Sequence, residues 1–186
     1  MACNTIKGIV MDKCTPNLGG IKAIYLADYK EGVAVISKGE GSENTDLVDG
    51  SISGWAEGNA PTWVKYEVRK NTASMTSTIN NSTEGSSYVT TELALVFSRM
   101  DAKKRIAIQA LTIGECMACV EDMNGNMWFL GADAPLTVTA GSGETGTAVA
   151  DANRYSLTLT DESLGLPYFI EDTVAKAVKD GARVNE

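Results

Sequence analysis

A chain of 186 residues with 44% hydrophobic content can build one domain with a real core, and it holds no apolar run of the roughly 18 residues that a membrane-spanning helix needs. A net charge of −8 disfavours binding to a phosphate backbone, which depends on Lys and Arg. The absence of histidine removes the usual general base near neutral pH and the commonest metal ligand.

The N-terminus MACNTIKGIV has one lysine and no long apolar segment, so no secretory signal is expected and assembly in a cytoplasm is. Residues 7–11 are a short apolar run inside an N-terminal leader spanning residues 1–19, and CTPNLGG at 14–20 is a turn cluster. Residues 21–27 (IKAIYLA) and 32–37 (GVAVIS) read as strands. Residues 38–50 form a polar loop rich in Gly, Ser, Asn and Asp, followed by a short apolar patch at 52–55. TWVKYEVRK at 62–70 predicts a strand that buries Val64, Tyr66 and Val68 and exposes Trp63, Lys65, Glu67 and Arg69. Residues 72–79 give a Ser/Thr-rich strand, and YVTTELALVF at 88–97 gives the longest and most apolar one.

The pattern then changes. Ala102, Ile106, Gln109 and Ile113 fall at helical spacing, Ser98 with Asp101 resembles a capping box, and Gly114 supplies a stop. Residues 115–122 and 127–130 flank Asn124-Gly125, the strongest short hairpin signal, in which both central residues are expected at positive φ. PLTVT at 135–139 is a strand. The 14 residues from 140 to 153 read as a loop too long to be only a connector. YSLTLT at 155–160 alternates strictly, and residues 171–179 can form a short C-terminal helix on Val174, Ala177 and Val178, within a tail at 171–186. The sum is a single domain, mainly β with one central helix, in the α+β class: an antiparallel β-sandwich or barrel flanked by a helix.

Motifs for chemistry are weak. Cys116 and Cys119 look like half a zinc site, but residues three apart on a strand point to opposite faces, and Cys3 with Cys14 completes no second Cys-x-x-Cys. TAGSGETG lacks the Gly-Lys-Ser/Thr ending of a phosphate loop and precedes a strand, not a helix. Asp161-Glu162 and Glu171-Asp172 read as solvated turns without calcium-loop spacing. No catalytic, cofactor-binding or metal-ligating residue is expected, and no cofactor. Charge is uneven: between residues 113 and 172 ten acidic residues face Arg154 alone, which suits a chain that presents complementary surfaces to its own copies.

The order of elements resembles the tail tube (major tail) proteins of phages that infect Bacteroidetes-type hosts. The resemblance rests on CTPNLGGIK with IYLAD, TWVKYEVRKNTASMTSTI, MDAKKRIAIQAL, VEDMNGNMWFLG and SGETGTAVADANRYSLTLTDES. It implies a structural virion protein. Six subunits would close a ring by joining their sheets, rings would stack head to tail, and DNA would pass through without specific binding. The expected partners are further copies and other tail proteins, with no membrane. On this reading the two long loops are contact arms, with Ser42, Asn44, Asp46, Ser142, Glu144, Thr145 and Thr147 as candidate inter-subunit residues. Glu115, Glu121 and Asp151 are candidates for an acidic lumen that repels DNA. Two other readings stay open: a monomeric β-sandwich binding or adhesin module that uses its tryptophans, and a carboxylate-dependent hydrolase.

Overall fold

The computed structural model describes residues 17–38, 48–83 and 85–184. In chain order these form β1 (Ile21–Asp28), β2 (Ala34–Lys38), β3 (Val48–Trp55), β4 (Val64–Tyr66), β5 (Ser74–Asn81) and β6 (Ser87–Ser98). Helix α1 (Ala102–Ile113) follows, then β7 (Cys116–Asp122), β8 (Met127–Leu130), β9 (Thr137–Glu144), β10 (Arg154–Ser163), β11 (Tyr168–Ile170) and helix α2 (Asp172–Gly181).

The strands make two sheets. The large one has seven strands in the order β2-β3-β11-β8-β7-β1-β4, the small one four in the order β5-β6-β10-β9. Pairing is antiparallel except between β11 and β3, which run parallel through Phe169↔Ser51 and Ile170↔Ile52. The sheets pack face to face and neither closes on itself, so the architecture is an open sandwich and not a barrel.

The large sheet is buried on both faces. Ile24, Leu26, Ala118, Val120 and Leu130 meet Leu93, Leu95, Leu157 and Leu159 of the small sheet. The alternate residues Tyr25, Met117, Cys119, Met127 and Phe129 point the other way, onto Ile52, Trp63 and the α2 residues Val174, Ala175 and Val178. Double burial explains why β1 and β7 are nearly continuous apolar runs with little alternation. Each fully buried aliphatic side chain contributes about 1.5–3 kcal/mol, so these two layers hold the fold.

Several expectations change. The helix taken as central, α1, buries no residue; the helix that covers a sheet face is α2. Asp101 is itself the N-cap of α1, accepting from Lys104 N at 2.8 Å, and Ser98 ends β6 instead of capping. The stripe Ala102, Ile106, Gln109 and Ile113 faces solvent, and the half-buried side is Lys104, Ala107, Ile108 and Leu111. Lys104 turns inward because its ammonium reaches back to the carbonyls of Ser98 and Arg99 and to the Asp101 carboxylate.

On α2, Ala175 is buried where Ala177 was expected. The predicted strand 62–70 shrinks to three residues, and Trp63 is buried at its entrance. At the Asn124-Gly125 turn only Gly125 has positive φ, because Asp122 organises a longer turn by accepting from the amides of Asn124 and Asn126.

The largest correction is β9. It runs to Glu144, so a third of the supposed long loop is strand, paired with β10 through Gly141↔Leu157 and Gly143↔Tyr155. The glycines suit a strand here because side chains already occupy their space. A Cβ on Gly143 would lie 2.9 Å from the Tyr155 ring and 3.2 Å from Met100 Cε, and one on Gly141 3.2 Å from Leu157 Cδ1.

Candidate functional site

Among the described residues, nothing covers one face of the small sheet. Along β6 and β10 the inward residues Leu93, Leu95, Leu157 and Leu159 are buried, and the residues between them turn outward. The outward set is Ser74, Thr76, Thr78 and Asn80 on β5, Thr90, Glu92, Ala94 and Val96 on β6, Ser156, Thr158, Thr160 and Glu162 on β10, and Thr139, Ala140, Ser142 and Glu144 on β9; none of these is buried.

Hydroxyls on this face satisfy one another across the strands. Thr139 and Thr160 are 2.7 Å apart, Ser142 and Ser156 2.7 Å, and Asn80 Nδ2 donates to Thr90 Oγ1 at 3.0 Å. Its charges are acidic at Glu92 and Glu162; Glu144 is matched by Arg154, its ion-pair partner at the end of the sheet. The surface is neutral to weakly negative, with its polar groups already paired sideways.

The two edges of this sheet are long and, among the described residues, unprotected. β5 and β9 each run eight residues and contain no Lys, Arg or Pro. Isolated sheets usually blunt an edge with such residues or with a very short strand. The large sheet does so: β4 has three residues and is tied to Arg183 by Lys65 N→Arg183 O and Arg183 N→Trp63 O, and β2 has five. β9 carries one irregularity, between its pairings to Thr158 and Leu159.

The turn joining β9 to β10 is self-organised. Asp151 Oδ2 accepts from the amides of Thr147 at 2.8 Å and Ala148 at 2.7 Å, and from Thr147 Oγ1 at 3.1 Å. These bonds, the backbone ones foremost, hold its carboxyl below the usual range. Gly146 sits at φ +70°, and a Cβ there would fall 2.2 Å from Asp151 Cβ. Val149 stands fully exposed at the tip.

Against this geometry the candidate residues divide. Ser42, Asn44 and Asp46 lie outside the described residues. Ser142 and Glu144 sit on the β9 strand, not in a loop, and Thr145 and Thr147 belong to the turn, where the Thr147 hydroxyl is engaged by Asp151. Glu115 is exposed at the entrance to β7.

Glu121 does not present an open charge: it is buried between Lys22 Nζ at 2.8 Å and Lys179 Nζ at 3.0 Å. Burial by itself pushes this carboxyl up, but the two lysine hydrogen bonds and charges outweigh it and hold the group below its ordinary value. The acids on the bare face without a basic partner are Glu92 and Glu162; Glu92 went unnoticed in the sequence, and Asp161-Glu162, expected in a solvated turn, lies on β10 with Asp161 buried. Strict alternation in β6 and β10 carried that signal, since it puts Glu92 and Glu162 opposite the leucines.

The remaining chemistry-bearing groups are structural. Cys116 faces the core between the sheets and Cys119 the opposite core, so the pair cannot chelate one ion. Burial pushes the Cys116 thiol up to about 12 and the Cys119 thiol well above its usual value. Trp55 and Trp63 pack edge-on against Phe129 at centroid distances of 5.5 and 6.4 Å, as Trp128 does against Phe169 at 5.9 Å. Among the described residues, no three of His, Cys, Asp and Glu group around a point where a metal could sit, and no helix is long and apolar enough to cross a membrane. Compared with models of known families, with curated proteins and with solved structures, the chain finds no match.

Proposed function

We propose that this chain is a structural subunit of a phage tail tube, in which copies close into a ring by joining their small sheets and the rings stack. The observation that carries the reading is the pair of long edges without Lys, Arg or Pro on a sheet with one bare face. Strand direction alternates along β5-β6-β10-β9, and the count is even. A second copy placed beside the first in the same orientation therefore brings its β5 antiparallel to β9. The sheet continues without a break in alternation, and every copy offers one edge of each kind. Such a head-to-tail contact closes into a ring when its rotation permits.

In that ring the bare face is the channel wall. Laterally paired hydroxyls and the acids Glu92 and Glu162 offer a passing polyanion few donors and no exposed cation apart from Arg154, which Glu144 already holds. Further tail proteins would cap the stack, and assembly would take place in the host cytoplasm before incorporation into the virion. Negative-stain microscopy of the purified chain at high concentration tests the proposal: rings or tubes are expected, and a strictly monomeric species across several buffers would overturn it.

A further inference from the structure

Helix α1 turns two isoleucines to solvent. Ile113 is 81% exposed and Ile106 65%. Ile108 and Leu111, on the other side, pack with Val138 and Tyr155 on the margin of the core between the sheets. The helix therefore lies on the inner side of the small sheet, alongside β9. Between the two runs a shallow groove of about 380 Å³, floored by Ile108, Val138, Gly141 and Leu157.

At the opposite edge of the same sheet, β5 turns Met75, Ser77 and Ile79 inward, opposite Leu93, Thr91 and Val89. Ile79 lies beyond the covered core and is 60% exposed. Among the described residues, bulky aliphatics thus stand in water at both edges of one sheet, Ile106 and Ile113 beside β9 and Ile79 on the inner side of β5.

Resting on the ring reading, we infer that the outward stripe of α1 is the seat for the neighbouring copy's β5, with Ile79 of that copy packed on Ile113. The level of the strands supports this pairing. Ile79 aligns with Val89 and Ser163, three residues past the pairing of Thr160 with Thr137 at the start of β9. The C-terminal turn of α1, with Ile113, leads through Gly114 to Cys116, which bridges Leu136 just before that start. A stagger of about three residues along β9 brings Ile79 to this end of the helix, and about three more, the strand equivalent of the seven helical residues between them, bring it to Ile106. The backbone edges supply hydrogen bonds, and the helix supplies the apolar cover that an added strand needs on its inner side.

The test is disulfide trapping in the full-length chain carrying Cys3→Ser and Cys14→Ser. Under mild oxidation, Ile79→Cys combined with Ile113→Cys, or with Ile106→Cys, is expected to give a covalent ladder of copies up to the ring number. Ile79→Cys alone is expected to give none. Ile113→Asp should weaken assembly by at least about tenfold, the factor expected from exposing one well-buried aliphatic contact, with the monomer's unfolding curve unchanged. Rings that form without any 79–113 or 79–106 link would overturn the seat and leave the ring standing. Dimers linked through Ile113→Cys alone would point to a two-fold β9–β9 contact and overturn it, as would an Ile113→Cys chain that closes onto its own Cys3 or Cys14 when these are retained. Failure to assemble at any concentration would overturn the seat together with the ring.

Discussion

The two sheets solve the same packing problem in opposite ways. The large sheet hides both faces and keeps its edges short or tied down; the small sheet hides one face and leaves two long edges open. The first arrangement suits a body that is complete alone, the second a body that is completed by something else. The comparison is broken most directly by truncation. Phe129→Ala removes a buried ring held between Trp55 and Trp63, and should cost about 3–5 kcal/mol. Thr158→Ala, in the middle of the bare face, should change stability by about 0.5 kcal/mol or less. Urea unfolding of both variants measures the contrast, and similar losses would mean that the outer face is not bare in solution.

The same difference explains what is legible in the sequence. Strands with one wet face declare themselves: YSLTLT and YVTTELALVF alternate, and both appear in the structure within one to three residues at each end. Their alternation also holds the key to the bare face, since Glu92 and Glu162 sit in step with the outward threonines. Strands with no wet face lose the period, and the three-residue β11 depends on a parallel partner far away in the chain, so local pattern cannot reveal it. Helical spacing announces α1 but not which side a neighbour will take. The side with Lys104 turns inward because that lysine bonds back to the chain before the helix. Gly141 and Gly143 look like loop residues until the rings and branches that fill their space are known.

The next largest effect lies where the sheets meet at their end. Asp161, on the inner side of β10, is 2% exposed, and its Oδ1 makes no hydrogen bond among the described residues. Desolvation pushes its carboxyl up to about 6, against a partial offset from the Gly131 amide and with Asp133 and Glu162 adding repulsion; Thr91 is its neighbour across β6. A raised folded value means that the ionised form costs stability above about pH 6. Wild type should therefore gain stability as pH falls through 6 towards the ordinary value of 3.8. Asp161→Asn should be more stable than wild type by about 1–3 kcal/mol at pH 8, with the gap closing below pH 4. A gap of constant size across that range would sink the account.

Glu121 gives the opposite sign on the large sheet. Its carboxyl is held below its ordinary value of 4.5 in the folded state, so its contribution is present above that value and lost as pH falls through the lower folded one. Glu121→Gln should cost about 1.5 kcal/mol at pH 7, the lower end of the scale of hydrogen bonds to a charged group because both lysines are partly exposed, and almost nothing at pH 2. Thermal melts at the two pH values separate this from Asp161, whose replacement stabilises.

The smallest effect on stability should come from the tip of the β9–β10 turn, and it sharpens the comparison most. Asp151 and Gly146 fix the turn from within, so Val149 contributes nothing to holding it and stands fully exposed. Val149→Ser should leave the melting temperature unchanged within about 0.5 kcal/mol of stability. A rigid turn that presents an aliphatic knob is suited to a contact, and on the ring reading that contact lies between stacked rings, because the turn continues past the paired ends of β9 and β10, off the end of the sheet. The variant should then form single rings as readily as wild type but shorter tubes, scored by length distributions on microscope grids. Unchanged tube lengths would return Val149 to ordinary surface, and lost rings would place the turn between neighbours within a ring.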